Sequence, residues 1–298
     1  TLSDANTTNI AATDITTIEG DTSGTITVSN NINIQGTAAQ VAAAVDDVNT
    51  FSGTPTAELS NAHTLAELKA INNKLSGTLT LGDYTVALSG TSEDVAAALD
   101  GTFAAQYTGA VTLTDNHTLA ELKTINDQTN NTITLNSYAV ALAGSTADVK
   151  AALAGTLAAT YTGNVTLSDA NTADINATDI TTIEGDTDGT ITVTNAIDIN
   201  GTAAEVAAAV DDVNTFSGAA TATLSDAHTL AELKAINNKL SGTLTLGDYT
   251  VALSGSSADV AAALAGNFGD TYTGTAALSD NHTLAELKAI NNGTSGTL

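Results

Sequence analysis

Two hydrophobic periods alternate along the chain. Over residues 64–73, Leu65, Leu68 and Ile71 recur at three-residue steps, which sets them on one face of a helix with Glu67 and Lys69 outward. In Thr78-Leu79-Thr80-Leu81 and Tyr84-Thr85-Val86-Ala87-Leu88 apolar and polar residues alternate, the period of a half-buried strand. Gly82-Asp83 separates these two runs and predicts a hairpin that pairs 81 with 84 and 79 with 86. The same pattern fits a corner between strands of a solenoid, and both topologies stay open at this point.

The helical pattern has a recurrent start: Ser or Thr, two residues, then Glu, Asp or Gln ahead of an apolar run. It stands at Thr37, Thr64, Thr91, Thr118, Ser145, Thr202, Thr229, Ser256 and Thr283, and Thr7 and Thr172 open the same kind of segment in a degenerate form. The hydroxyl can accept from the first turn and the acidic residue can reach back, as in Thr64 with Glu67. Most steps are 27 residues (Thr37, Thr64, Thr91, Thr118), and the segments 7–36 and 172–201 carry three residues more. A longer period of 165 returns Thr1-Leu2-Ser3-Asp4-Ala5-Asn6 as Thr166-Leu167-Ser168-Asp169-Ala170-Asn171. Fixed periods of this size mark stacked arrays.

A helix of about nine residues does not hold alone in water, and a pair of such repeats is marginal as a free domain. Each must lean on its neighbours. The expected fold is therefore α/β: an elongated solenoid of 27-residue coils, each a short helix plus a strand or hairpin, with the helices on one face of a continuous sheet. Residues 1–165 form a first six-coil super-repeat and 166–298 a second, shorter one, in one continuous rod. Leu298 falls inside a strand pattern that is complete at Gly242-Thr243-Leu244-Thr245-Leu246, and no Met occurs, so the reading expects a segment of a longer chain.

Composition narrows the partners. The net charge is −26, from 33 acidic residues against seven lysines and no arginine. That excludes nucleic acid, whose phosphates require clustered Lys or Arg, and it disfavours an anionic membrane surface. No apolar run approaches the roughly 18 residues of a membrane span. Cysteine is absent, so neither disulfides nor thiolate metal sites are available. The hydrophobic fraction is 42% but only 3% is aromatic, which predicts a thin core of small side chains suited to close stacking.

Candidate chemistry falls into four sets. His63, His117, His228 and His282 each precede a helix-starting Thr, as polar residues at the helix start or as a metal-binding or pH-sensing ladder. Glu19-Gly20-Asp21 and Glu184-Gly185-Asp186-Thr187-Asp188-Gly189 resemble the opening of a calcium loop, so Glu19, Asp21, Glu184, Asp186 and Asp188 are the candidate calcium ligands and calcium the one candidate cofactor. Turn chemistry accounts for them equally well, as it does for Asp4, Asp115, Asp169, Asp226 and Asp280 ahead of the helices. Thr pairs at 25/27, 78/80, 132/134, 190/192 and 243/245 give a polar strand face, solvated or able to meet a regular polymer or ice surface, but on alternate repeats only. No histidine has a Ser and Asp partner that departs from the repeat background, so no catalytic residue is expected.

The motif Thr-Leu-Ala-Glu-Leu-Lys-Ala-Ile-Asn-Asn followed by Ser-Gly-Thr-Leu-Thr-Leu, at 64–81 and 229–246, resembles the tandem repeats of giant secreted cell-surface proteins of marine bacteria and cyanobacteria. The resemblance implies export, very long chains, and roles in surface layers, adhesion or matrix filaments. The expected function is a non-catalytic structural segment of an extracellular surface or filament protein, with neighbouring copies or segments of the same protein as partners. The alternative is an adhesive module that grips polysaccharide, ice or neighbouring chains through its Thr-rich face or calcium-bridged acidic loops.

Overall fold

A computed structural model describes all 298 residues. The chain is α/β throughout. In order it runs β1 (Asn9–Ala11), α1 (Ala12–Asp21), β2 (Thr27–Val28), β3 (Asn33–Gly36), α2 (Ala38–Asp47), β4 (Thr50–Phe51), β5 (Thr56–Leu59), α3 (Leu65–Asn72), β6 (Leu79–Thr80), β7 (Leu88–Gly90), α4 (Ser92–Leu99), β8 (Val111–Leu113), α5 (Leu119–Gln128) and β9 (Ile133–Thr134). It continues through β10 (Leu142–Gly144), α6 (Thr146–Leu153), β11 (Val165–Leu167), β12 (Asp174–Asn176), α7 (Ala177–Asp186), β13 (Ile191–Val193), β14 (Asp198–Gly201), α8 (Ala203–Asp212), β15 (Thr215–Phe216) and β16 (Thr221–Leu224). The last elements are α9 (Leu230–Lys239), β17 (Thr243–Thr245), β18 (Leu253–Gly255), α10 (Ser257–Ala263), β19 (Asn267–Phe268), β20 (Ala276–Leu278) and α11 (Leu284–Gly293). Two compact units divide it, residues 1–140 with 151–160, and residues 141–150 with 161–298.

The helices begin where the sequence signal sits. Thr37, Thr64, Thr118, Thr202, Thr229 and Thr283 form reciprocal capping boxes with the residue three further on. At Thr91, Ser145 and Ser256 the hydroxyl accepts from the backbone of an Asp whose shorter side chain does not reach back to the cap N–H. The degenerate starts behave differently. Thr7 and Thr172 adopt left-handed backbone (φ 64° and 63°), a strand follows, and the helix opens only at Ala12 and Ala177. Thr7 and Thr172 have Ile10 and Ile175 three residues on, so nothing reaches back to the cap.

The predicted hairpin does not form. Every pairing of the named strands is parallel. Leu79 and Thr80 pair with Ala57 and Glu58 of the preceding repeat, while Leu88 pairs with Val111 of the following one. The Gly82-Asp83 turn is a corner, and the Tyr84 hydroxyl accepts from the Leu81 N–H across it at 3.1 Å. Local turn chemistry suits either topology; the Thr-rich and apolar alternation is satisfied by neighbours in adjacent repeats.

Nor is the sheet continuous. Six separate sheets of two to five strands occur, and none closes into a barrel. The cause is a mismatch of periods. Helix starts recur mostly every 27 residues, but in the row Ile10, Ile34, Ala57, Leu79 and Phe103 strand partners lie 22 to 24 apart. The row therefore slides along the chain, from just ahead of α1 to just behind α4. One more step of that length falls inside α5, and the row ends. In the second unit the row Ile175, Ile199, Ala222, Leu244, Phe268 repeats this, and its next step falls inside α11.

The core is built from the inward strand residues and one helix face. Ile34, Val41, Val45, Leu68, Ile71, Leu79 and Leu88 are buried in the first unit, and Ile199, Val206, Val210, Leu233, Ile236 and Leu244 in the second. Within the first unit α1 to α5 pack in succession, and within the second α7 to α11. Leu65 and Leu230, at the first helical position, lie against Gly90 and Gly255, just ahead of the next helix, where a Cβ would stand 2.4 and 2.5 Å from the leucine methyl.

Candidate functional site

The aromatic side chains, scarce in composition, hold the most constrained polar site. His63 lies just ahead of α3 and is 4% exposed; its Nε2 is 3.1 Å from the Tyr107 hydroxyl, which donates to the Val86 carbonyl at 2.6 Å. The phenol has one proton, and Val86 takes it. The hydroxyl must then accept, so His63 is the neutral Nε2–H tautomer. Its Nδ1 is buried and has no hydrogen-bond partner. The second unit repeats the arrangement with His228, Tyr272 and Val251, at 3.0 and 2.7 Å, and with Nδ1 again unpartnered. Phe103 and Phe268 pack on the outer side of these tyrosines, with ring centroids 6.1 and 5.8 Å away.

Burial sets the titration of these groups. It holds both imidazoles below their ordinary value, against the opposing pull of Asp83 and Glu67 on His63 and of Asp248, Glu232 and Asp226 on His228. Burial likewise raises Tyr107, and pushes Tyr272 up to about 12 with help from Asp248. His117 is buried with its pKa lowered by burial, whereas His282 is exposed. Of the candidate ladder, the structure joins His63 and His228 to tyrosines. The sequence carried one signal for this: His63 with Tyr107 and His228 with Tyr272 share a spacing of 44.

The acidic residues proposed for calcium do not form a loop. Glu19 and Asp21 close α1, and Glu184 and Asp186 close α7, at the negative end of each helix dipole. Asp188 lies on an exposed turn, and the Thr187 between is buried, its hydroxyl 3.1 Å from the Gly163 carbonyl. No group of three His, Asp or Glu side chains able to hold a metal ion occurs in the chain. Of the candidate calcium residues, Glu19, Asp21, Glu184 and Asp186 thus lie in the last turn of a helix and Asp188 just beyond one. Burial raises the pKa of Asp186; burial and then Glu184 and Asp211 raise that of Asp212, with Lys239 opposing.

The Asp residues ahead of the helices have a defined role. Asp115, Asp169, Asp226 and Asp280 each accept from the first N–H of the preceding helix, on Ser92, Thr146, Ala203 and Ser257, at 2.7 to 3.0 Å. Asn61 does the same for Ala38 at 2.7 Å. At the other helix end, Asn72 and Asn237 donate to the carbonyls of Ala98 and Ala263 in the next helix. Asp4 is exposed, and its backbone carbonyl accepts from Asn30 at 2.6 Å.

The Thr pairs stack in register more densely than alternate repeats alone allow. Thr134 sits beside Thr112, Thr245 beside Thr223, and Thr192 between Thr166 and Thr215. The intervening repeats thus supply the missing rungs, at the roughly 4.8 Å spacing of strands. Asn33 donates to Asn9 and accepts from Thr56, both at 3.0 Å, and Thr221 and Thr223 both donate to Asp198, so these ladders are ordered by their own hydrogen bonds.

A surface depression of about 840 Å³ is lined by Leu264, Phe268, Tyr272, Asn291 and their neighbours and holds no histidine. No helix is long and apolar enough to cross a membrane. No family model, curated protein or solved structure matches the chain.

Proposed function

We propose that the chain is a non-catalytic structural segment, an elongated solenoid of stacked coils within a large extracellular protein of a bacterial surface layer or filament. One observation carries the reading: backbone groups at the ends of alternate helices are taken by residues that belong to, or lead into, the neighbouring helix, Asp or Asn at the start of α2, α4, α8 and α10 and Asn at the end of α4 and α10. A coil built this way is incomplete alone and complete in a stack, which is what an array that makes length requires. The resemblance of residues 64–81 and 229–246 to secreted surface repeats, the absence of cysteine and the strong negative charge agree with an exported, soluble rod whose partners are neighbouring copies or segments of the same protein. Small-angle scattering of the chain and of a version lengthened by one 165-residue super-repeat tests this. A maximum dimension that rises in proportion to coil number supports the rod; a compact particle whose radius grows only slowly with length rejects it.

The register of the polar ladders favours a second role for the same rod. Thr166, Thr192 and Thr215 form a row of hydroxyls at strand spacing, suited to the repeating hydroxyls of a polysaccharide. Sedimentation with insoluble cell-wall glycan separates the two roles: co-sedimentation lost on changing these threonines to lysine supports binding, and no sedimentation leaves the structural role alone.

A further inference from the structure

Two of the buried imidazoles, His63 and His228, tie together parts of the chain 44 residues apart. His63 stands ahead of α3, Val86 in the repeat after α3, and Tyr107 in the repeat after α4. One hydrogen-bond chain therefore ties three successive repeats, and His228, Val251 and Tyr272 tie three in the second unit. We propose that these two chains are acid-released locks, in which protonation of His63 and His228 by mild acid frees the repeat that carries the histidine from the one that carries the tyrosine.

The geometry leaves a second imidazole proton no acceptor. The tautomer places the first proton on Nε2, toward the tyrosine. A second must go to Nδ1, which is buried and unpartnered, and a buried donor without a partner opposes folding. Each carboxylate that faces a ring already holds a neighbouring N–H or hydroxyl through one of its oxygens. Around His63, Glu67 accepts from the Thr64 N–H and hydroxyl, Asp83 accepts from the Thr85 N–H and hydroxyl, and Tyr107 is held by Val86. Around His228, Glu232 accepts from Thr229, Asp248 from Thr250, Asp226 from the Ala203 N–H, and Tyr272 is held by Val251. As placed, none of them has an oxygen within hydrogen-bonding distance of Nδ1. The net effect of burial over these carboxylates is a lowered imidazole pKa in both units.

The sign follows from linkage. The unfolded imidazole takes up a proton below its ordinary value of 6.5, and burial shifts uptake by the folded one to lower pH. The stabilisation is complete above that pH and is lost as pH falls. An imidazole that stays neutral in the folded chain from pH 7.5 to 5.5 lowers the folding equilibrium constant by about 10-fold over that range, and two such groups by about 100-fold.

Two measurements on the whole chain decide it. The first compares denaturant unfolding from pH 7.5 to 5.5 for the native chain and the His63→Gln/His228→Gln variant, whose amide N–H can still donate to tyrosine but does not titrate. The native chain is expected to lose about 100-fold more in the folding constant than the variant; equal losses overturn the proposal. The second is an imidazole NMR titration of the native chain, which stands even where the variant fails to fold. Neutral Nε2–H signals for His63 and His228 that persist to pH 5.5 in the folded chain support the locks. Reversible titration near 6.5 with the fold intact overturns them.

Discussion

A β-branched residue in the left-handed region costs about 1–2 kcal/mol, because its Cβ substituents crowd the following carbonyl. Thr7 and Thr172 both accept that cost, at φ 64° and 63°. What holds them is a set of bonds to the next repeat: the Thr172 N–H donates to the Ala196 carbonyl at 2.7 Å, Asn171 accepts from the Ala196 N–H at 3.0 Å, and the Ala173 N–H closes the turn on Ala170 at 3.0 Å. The bonds are backbone or belong to Asn171, so the Thr172 side chain is not what fixes the turn. Asparagine tolerates this conformation far better. Thr172→Asn is therefore expected to stabilise the chain by about 0.5–1 kcal/mol, read as a raised denaturation midpoint at constant slope. A lowered midpoint would mean that the threonine makes a contact worth more than its strain.

At the scale of the element, a short helix survives here because its first turn is bonded from three directions. In α8 the Thr202 hydroxyl takes the Glu205 N–H, the Glu205 carboxylate takes the Thr202 N–H, and Asp226, just ahead of the next helix, takes the Ala203 N–H at 2.7 Å. Asp226→Ala should cost about 1 kcal/mol or somewhat more, while Asp226→Asn should cost little, because Asn61 fills the equivalent place 165 residues earlier. Thermal unfolding of the two variants side by side checks this. Equal losses would show that charge at the helix dipole, not the hydrogen bond, is what Asp226 supplies. The first two bonds were legible in the sequence, since Thr202 and Glu205 lie in one turn and obey a local spacing rule. The third was not: Asp226 looks like a turn residue until the parallel stacking places it over α8. The same limit explains the hairpin at 79–88. It is a local pattern with two physical solutions, and the choice is made by the neighbouring repeat. The His63–Tyr107 pair lies further still from any local rule, although its recurrence as His228–Tyr272 left a trace in the spacing.

Across each unit, the chemistry repeats over two repeats rather than one. α3 and α9 begin with a leucine that needs a glycine just ahead of the next helix, Gly90 or Gly255, and end with an asparagine that seeks the next helix's carbonyls. α4 and α10 begin with a small residue whose N–H needs Asp115 or Asp280. Lys69 and Lys234 likewise pair with Asp94 and Asp259 of the following helix, though such exposed pairs add little. The strand rows are more permissive, because they already slide past the helices by several residues at each step. Removing residues 64–117, two full repeats, joins His63 to Thr118 and restores every one of these matches in sequence, including a tyrosine, Tyr161, 44 positions after His63 in the shortened numbering. Removing residues 64–90, one repeat, joins His63 to Thr91. That deletes Leu65, Lys69 and Asn72 together with Gly90, and leaves His63 buried without a tyrosine at the spacing it requires. The two-repeat deletion should fold with a single cooperative transition and a midpoint near that of the full chain. The one-repeat deletion, though it removes half as much, should melt earlier by the several kcal/mol that an unpartnered buried polar group and lost packing together cost. If both melt alike, the stacking surface is generic hydrophobic contact, and the alternation of helix types carries no part of the stability.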